Sequence, residues 1–236
     1  MRKYLFNKFI FSFLLFLSFD LLFSQTQILT DIDGQAATDY SGYKVAISDD
    51  GTRIAIGEET ALGSQNVKIN ARGSGQVRIF DYSESGWVQV GSNIDGEGAG
   101  DLFGWPVSLS SDGTRLVVGA DDDKVYYFDT SSSTPSWSQD VGGSVWGVDI
   151  SDDGELVAVA SQSDEVYLFN STGSQLWKYE SDKDFELVDI SGNGDYLVAG
   201  DTSGRLYLFS SDSSTPIAIH DVGDFASETE YVPQAL

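Results

Sequence analysis

Apolar and polar positions alternate in one phrase that the chain writes four times. An apolar strand runs into a polar turn, a second apolar strand follows, and a third closes on Phe. The turns fall at Asp50-Gly51, Asp112-Gly113, Asp153-Gly154 and Asn193-Gly194, and the third strands end at Phe80, Phe128, Phe169 and Phe209. Asp-Gly between apolar runs is a strong hairpin signal, and the expected geometry is a type I′ turn with positive φ at both central residues. In the third unit the pattern predicts strands over Val145–Ile150, Leu156–Ala160, Glu165–Asn170 and Gln175–Tyr179. No sustained helical periodicity follows residue 25.

The third strands decide between architectures. Val77-Arg78-Ile79-Phe80, Val125-Tyr126-Tyr127-Phe128, Val166-Tyr167-Leu168-Phe169 and Leu206-Tyr207-Leu208-Phe209 are apolar at nearly every position. Neighbouring residues of a strand point to opposite faces, so both faces must be covered. A two-sheet sandwich would leave one face polar, whereas stacked blades cover both. The repeats agree. Residues 32–57 lie over 94–119 at an offset of 62 with half the positions identical, and 148–161 lie over 188–201 at an offset of 40. A period near 40 residues is the mark of propeller blades. The expected fold is an all-β propeller of about four four-stranded blades, at roughly 40–92, 103–141, 144–180 and 184–220. The blades could close as a ring of four, share a ring between two self-associating chains, or form an open arc.

Residues 1–24 stand apart. Arg2, Lys3 and Lys8 precede an apolar run from Phe9 to Phe19, and small Ser24 precedes Gln25. That layout predicts a cleaved secretory signal peptide, with the propeller domain over 25–236 and no membrane insertion after cleavage. The run from Phe9 to Phe23, interrupted by Asp20, is shorter than the roughly 20 apolar residues of a spanning helix. The expected location is secreted, at the cell surface or in the periplasm. Cleavage removes three basic residues and one acidic one, moving the formal charge from −24 to −26. Such a chain repels nucleic acid and anionic membranes. With no Cys there are no disulfides and no thiol chemistry.

Phe103-Gly104, the strand Val107-Ser108-Leu109-Ser110 and Gly119-Ala120 resemble FG-GAP-like repeats, with Ser41-Gly42 and Ile56-Gly57 as the first unit's version. The second half resembles WD40 or PQQ-like repeats, best in residues 166–177, where Gly173 turns the chain and Leu176-Trp177 opens the outer strand. Both resemblances imply a propeller, and neither implies an activity, because propellers host many functions. FG-GAP-type units often carry a calcium loop. Here only Asp31, Asp33 and Asp39, and Asn93, Asp95 and Asp101, fall at comparable spacing. Three side chains each are few for an ion that takes six to eight oxygens. Quinone-dependent dehydrogenases share the PQQ-like repeat, but such an enzyme takes many more blades and no constellation here would hold the quinone. No cofactor is expected, with calcium the one exception weighed.

The chemistry available for catalysis is thin, and a non-enzyme is expected. The single His, His220, cannot assemble a His-rich zinc site, and no Ser stands out as a nucleophile. A carboxylate pair could serve a hydrolase, but the densest cluster, Asp121-Asp122-Asp123, reads as a hairpin turn. Gly96-x-Gly98-x-Gly100 precedes no helix and so makes no phosphate loop. The insertion Glu58 to Gly75, with Lys68 and Arg72, reads as a solvated or recognition loop. Tyr43, Trp105 and Trp146 recur just before the innermost strand of successive units, where blade 4 has Glu186 beside Phe185. Ringing the channel mouth, they could wedge between blades or hold a protein or glycan partner. The expected function is a non-enzymatic protein- or glycan-binding scaffold. The alternatives are a calcium-stabilised adhesion module and a carboxylate hydrolase.

Overall fold

A computed structural model describes residues 31–35, 40–58 and 73–222. Residues 1–24, the greater part of the Glu58 to Gly75 insertion and the segment after 222 lie outside the described residues, as does Asp39. Chain contacts separate Met1–Asp31 from Ile32–Leu236, and the architecture below is that of the second unit.

Among the described residues, sixteen strands form four antiparallel sheets of four, each a meander in chain order. Blade 1 holds β1 (Ser41–Ile47), β2 (Arg53–Glu58), β3 (Gln76–Ser83) and β4 (Gly86–Asp95). Blade 2 holds β5 (Val107–Leu109), β6 (Arg115–Gly119), β7 (Lys124–Asp129) and β8 (Trp137–Asp140). Blade 3 holds β9 (Val145–Ile150), β10 (Leu156–Ser161), β11 (Glu165–Asn170) and β12 (Gln175–Glu180). Blade 4 holds β13 (Phe185–Ile190), β14 (Tyr196–Asp201), β15 (Arg205–Ser210) and β16 (Ala218–Asp221). No helix occurs among the described residues. This is the four-bladed propeller architecture that the repeats predict.

Three interfaces make the core. Ala55, Val77 and Ile79 of blade 1 meet Phe103, Leu116, Val118, Tyr126 and Phe128 of blade 2. Val117, Val125 and Tyr127 on the other face of blade 2 meet Val157, Val159, Tyr167 and Phe169 of blade 3. Ala158, Val166 and Leu168 then meet Leu197, Ala199, Tyr207 and Phe209 of blade 4. In blades 2 and 3 the middle strands are apolar on both sides because each side belongs to a different interface. Among the described residues no fourth cluster joins blade 4 back to blade 1, and the described sheets do not close into a ring.

The hairpins are where sequence predicts them, but the turn differs from type I′. Only the glycines take positive φ: +71° at Gly51, +67° at Gly113, and +74° at Gly154 and at Gly194. The closing pair sits farther out, Ser48 N–H donating to the Arg53 carbonyl at 2.9 Å. The Asp does its work with its side chain. Asp50 accepts from Ser48 Oγ at 2.8 Å and from the Thr52 N–H at 2.9 Å, while the Arg53 N–H donates to Ser48 Oγ at 3.0 Å. Ser110, Asp112 and Arg115 repeat this, as do Ser151, Asp153 and Leu156. An Asx acceptor satisfies the turn without forcing the Asp itself into the left-handed region. These bonds hold the carboxyls of Asp50, Asp112 and Asp153 below the usual aspartate range.

Candidate interaction site

The rim residues occupy irregular positions at the start of the innermost strands. In blade 1, β1 slips register between Ser41 and Lys44 against β2, leaving Tyr43 in the bulge. In blade 3 the slip leaves Trp146 unpaired, and in blade 4 it leaves Glu186. A bulge re-aims its extra residue out of the ladder, which is how a strand presents a side chain at a rim. Trp105 reaches the same place by a turn. Its N–H donates to the Leu102 carbonyl at 3.0 Å, as that of Tyr43 does to Tyr40 at 3.1 Å. Gly104 is required there: a Cβ would lie 2.9 Å from the Gln76 carbonyl oxygen. Across the interface, a Cβ on Gly57 would lie 2.2 Å from the Gly104 oxygen. The two glycine phrases of the first half therefore let two backbones meet.

Tyr43 and Trp105 stack, with ring centroids 4.6 Å apart and planes 25° from parallel. Lys44 Nζ lies 5.1 Å from the Trp105 centroid and 5.8 Å from that of Tyr43. Among the described residues no carboxylate pairs with Lys44. In a chain of net charge −24 that leaves one ammonium held by aromatic faces instead of by an acid. Tyr43 is 56% exposed. Trp146 is half-buried and has no ring partner among the described residues, so two of the three aromatics come together. Phe185 is buried against Tyr207, at 5.2 Å between centroids, and the rim position of blade 4 is the charged Glu186.

The calcium candidates are scattered in their bonding. Asp33 offers its backbone carbonyl to Arg78 Nη2 at 2.9 Å, and Asn93 is bonded to Gln35, Gln76 and Gln89. Asp101 accepts from the Gly98 N–H at 2.5 Å, and Asp95 ends β4 opposite Gln76. Asp31 closes the other unit. Among the described residues no three His, Cys, Asp or Glu side chains gather as a metal would require. Asp121, Asp122 and Asp123 form the turn between β6 and β7, with Asp123 at φ 66°. Asp122 accepts from Tyr126 Oη at 2.5 Å and lies 3.3 Å from Lys124 Nζ. Burial, then this bond, pushes the Tyr126 hydroxyl well above the usual tyrosine range. His220 is exposed on the outer strand β16.

The model of a PQQ-like repeat family, described as outer membrane protein assembly factor BamB, matches residues 46–230. The chain belongs to this family. No curated protein matches it. The BamB-family match begins inside β1 and runs past β16, so it also spans the first two blades, whose glycine phrases resemble FG-GAP-like repeats.

One site of this BamB-family chain escapes a reading by motif. Asp149, on the inner strand β9, accepts from Ser108 Oγ of blade 2 at 2.7 Å and from the Ile190 N–H of blade 4 at 2.9 Å. One carboxylate thus ties three blades. Burial raises its pKa, and the charge of nearby Asp189 adds to this. The available signal was the repeated Val-Asp-Ile-Ser at 148–151 and 188–191, which sets an acid inside an apolar strand.

Proposed function

We propose that the chain is a non-enzymatic scaffold, acting outside the cytoplasm, that holds an extended segment of a protein partner at the Tyr43–Trp105 rim. The observation that carries this is the stack of exposed Tyr43 on half-buried Trp105, with an ammonium over the rings that no carboxylate among the described residues pairs. Such a platform suits a segment that sets an aromatic or proline ring beside an acidic residue. The ring extends the stack, and the acid meets Lys44 at the edge of a desolvated surface. Two observations support the reading from outside the site. The family is described as an outer membrane assembly factor, and residues 1–24 have the layout of an export signal.

The test is a peptide array of acidic-aromatic and basic-aromatic segments, with a glycan array beside it, followed by titration through tryptophan fluorescence. Acidic-aromatic peptides should bind, a Tyr43→Ala/Trp105→Ala double variant should lose at least about tenfold in affinity, and Lys44→Glu should turn the preference toward basic peptides. Equal binding by wild type and double variant overturns the rim as the site. Binding confined to oligosaccharides replaces the protein partner by a glycan.

A further inference from the structure

Three kinds of contact join blades in one direction, and each stops with complementary ends on blades 4 and 1. The first is a backbone relay through the hairpin turns. Asp49 N–H donates to the Ser111 carbonyl at 2.9 Å, Ser111 N–H to Asp152 at 3.1 Å, and Asp152 N–H to Gly192 at 2.9 Å. These four residues each stand two before the turn glycine. The relay leaves a donor on blade 4, the Gly192 N–H, and an acceptor on blade 1, the Asp49 carbonyl. The second is the carboxylate tie. Asp149 of blade 3 receives the Ile190 N–H of blade 4. Asp189 is its equivalent on blade 4 and is exposed, and Ile47 is the equivalent of Ile190 on blade 1.

The third series is steric. A Cβ on Gly113 would touch Arg53 of the blade before at 3.1 Å, one on Gly154 would touch Arg115 at 2.8 Å, and one on Gly194 would touch Leu156 at 2.9 Å. Nothing lies within 4 Å of that position on Gly51. The next residue in the sequence Arg53, Arg115, Leu156 is Tyr196, which is exposed on blade 4. The apolar faces end unequally. Val198, Leu206 and Leu208 on blade 4 are open where blade 3 buries Ala158, Val166 and Leu168. Blade 1 is open only at its inner strand, at Val45 and Ile47, with Ile56, Arg78 and Phe80 behind them buried within the chain and Arg78 bonded to the Asp33 carbonyl.

We propose that the outer face of blade 4 takes the inner strand and hairpin turn of blade 1 of a second copy of this chain, in the register by which blade 3 takes those of blade 4. Gly192 N–H then donates to the Asp49 carbonyl of that copy, Asp189 receives its Ile47 N–H, and Tyr196 seats on its Gly51. The contact is head-to-tail, so it closes only by going round a ring. Propellers run from about four to eight blades. Two copies of the four described blades supply eight and three would supply twelve, so the expected ring is two-fold. This goes beyond the rim reading and does not depend on it.

The test is sedimentation velocity of the purified protein at high salt, where repulsion between two chains of charge −24 is screened. A species of twice the chain mass is expected. Leu208→Asp and Val45→Asp, both at exposed positions, should each weaken it by at least about tenfold, because each buries an unpaired carboxylate in the contact. Mixing the two variants should restore a dimer, since one of its two contacts is then wild type on both sides. A monomer at every concentration overturns the proposal. So does a dimer that Val45→Asp leaves intact, which would mean that blade 4 pairs with blade 4. Peptide titration at the rim is read independently of mass, so a failure here leaves that reading standing.

Discussion

Blades 3 and 4 are nearly one sentence written twice, yet one is covered on both faces and the other on one. Val148 to Ser161 and Val188 to Asp201 share their turn chemistry down to the bond. Ser151 Oγ donates to Asp153 at 2.7 Å, and Ser191 Oγ to Asn193 at 2.8 Å. The faces turned toward the preceding blade are equally closed. Val157 and Phe169 are buried on blade 3, as are Leu197 and Phe209 on blade 4. The other faces part company. Trp177 of β12 reaches over to donate its indole N–H to the Ser211 carbonyl of blade 4 at 2.7 Å, repeating Trp137 to Ser171 at 3.0 Å. Blade 4 has Ala218 where blade 2 has Trp137, and its outer strand β16 is exposed throughout. Local sequence builds a blade, while the energy of a blade lies in what its two faces touch. The contact that blade 4 offers is aliphatic, with a carboxylate at its inner edge and no indole.

The comparison breaks hardest at the middle strand. Leu168 is fully buried between blades, so Leu168→Ala removes its transfer energy and leaves a cavity, about 2–5 kcal/mol. Leu208 stands at the equivalent place on blade 4 but is 37% exposed, and nothing packs over it to keep a cavity open. Leu208→Ala should lose about 1 kcal/mol, the partial burial of a few methylenes. Urea unfolding of the two variants, at concentrations where the protein is monomeric, measures both. Equal losses would mean that the open face of blade 4 is covered after all.

That difference also marks what the sequence can disclose. Strands β9 to β12 fall within one residue of their expected bounds, because a two-sided apolar strand between turn residues has few other ways to fold. The turn type was less legible: Asp-Gly suggests positive φ at both residues, and only the Ser two positions earlier reveals that the Asp side chain takes over as acceptor. The aromatic rim was half legible. Tyr43, Trp105 and Trp146 share a register, but stacking depends on how neighbouring blades approach at Gly57 and Gly104, a close backbone contact that no spacing in the chain encodes. Asp149 was missed because its partners, Ser108 and Ile190, are 41 residues away on either side. An acid inside an apolar strand gives no hint of its satisfaction until the blades are stacked.

A smaller effect separates the first turn from the third. Gly51 and Gly154 share nearly the same φ, so Gly→Ala at either place incurs about 1–2 kcal/mol for a left-handed Cβ. At Gly154 the new methyl must also displace Arg115, whose Cγ would lie 2.8 Å away; at Gly51 it meets open space. Gly154→Ala should therefore be the more destabilising by about 1 kcal/mol, within the range of mild overpacking. Chemical denaturation of the monomer resolves this. In a ring of two copies Gly51→Ala meets Tyr196 of the neighbour, so its extra loss should reappear as weakened association.

The finest distinction is electrostatic, and it sets Asp149 against its twin Asp189. Burial, with the Asp189 charge added, raises the Asp149 pKa above the ordinary 3.8, although its hydrogen bonds to Ile190 and Ser108 oppose this. A carboxyl whose folded pKa is raised contributes stability that is fully present below its unfolded value and is lost as pH rises through its folded value. Melting temperature should accordingly carry a component that falls as pH rises from 3.8 through the raised folded pKa, and Asp149→Asn should remove it. The turn aspartates Asp112 and Asp153 are shifted the other way. Their contribution is present above 3.8 and is lost only as pH falls through their lower folded values, so they do not mask that window. Asp189→Asn should shrink the Asp149 component without abolishing it, since it removes one charge that raises the pKa and leaves the burial in place. If the melting temperatures of wild type and Asp149→Asn differ by the same amount across the whole window, Asp149 is charged in the interface at no energetic disadvantage. The three-blade tie would then be an ordinary hydrogen-bonded carboxylate.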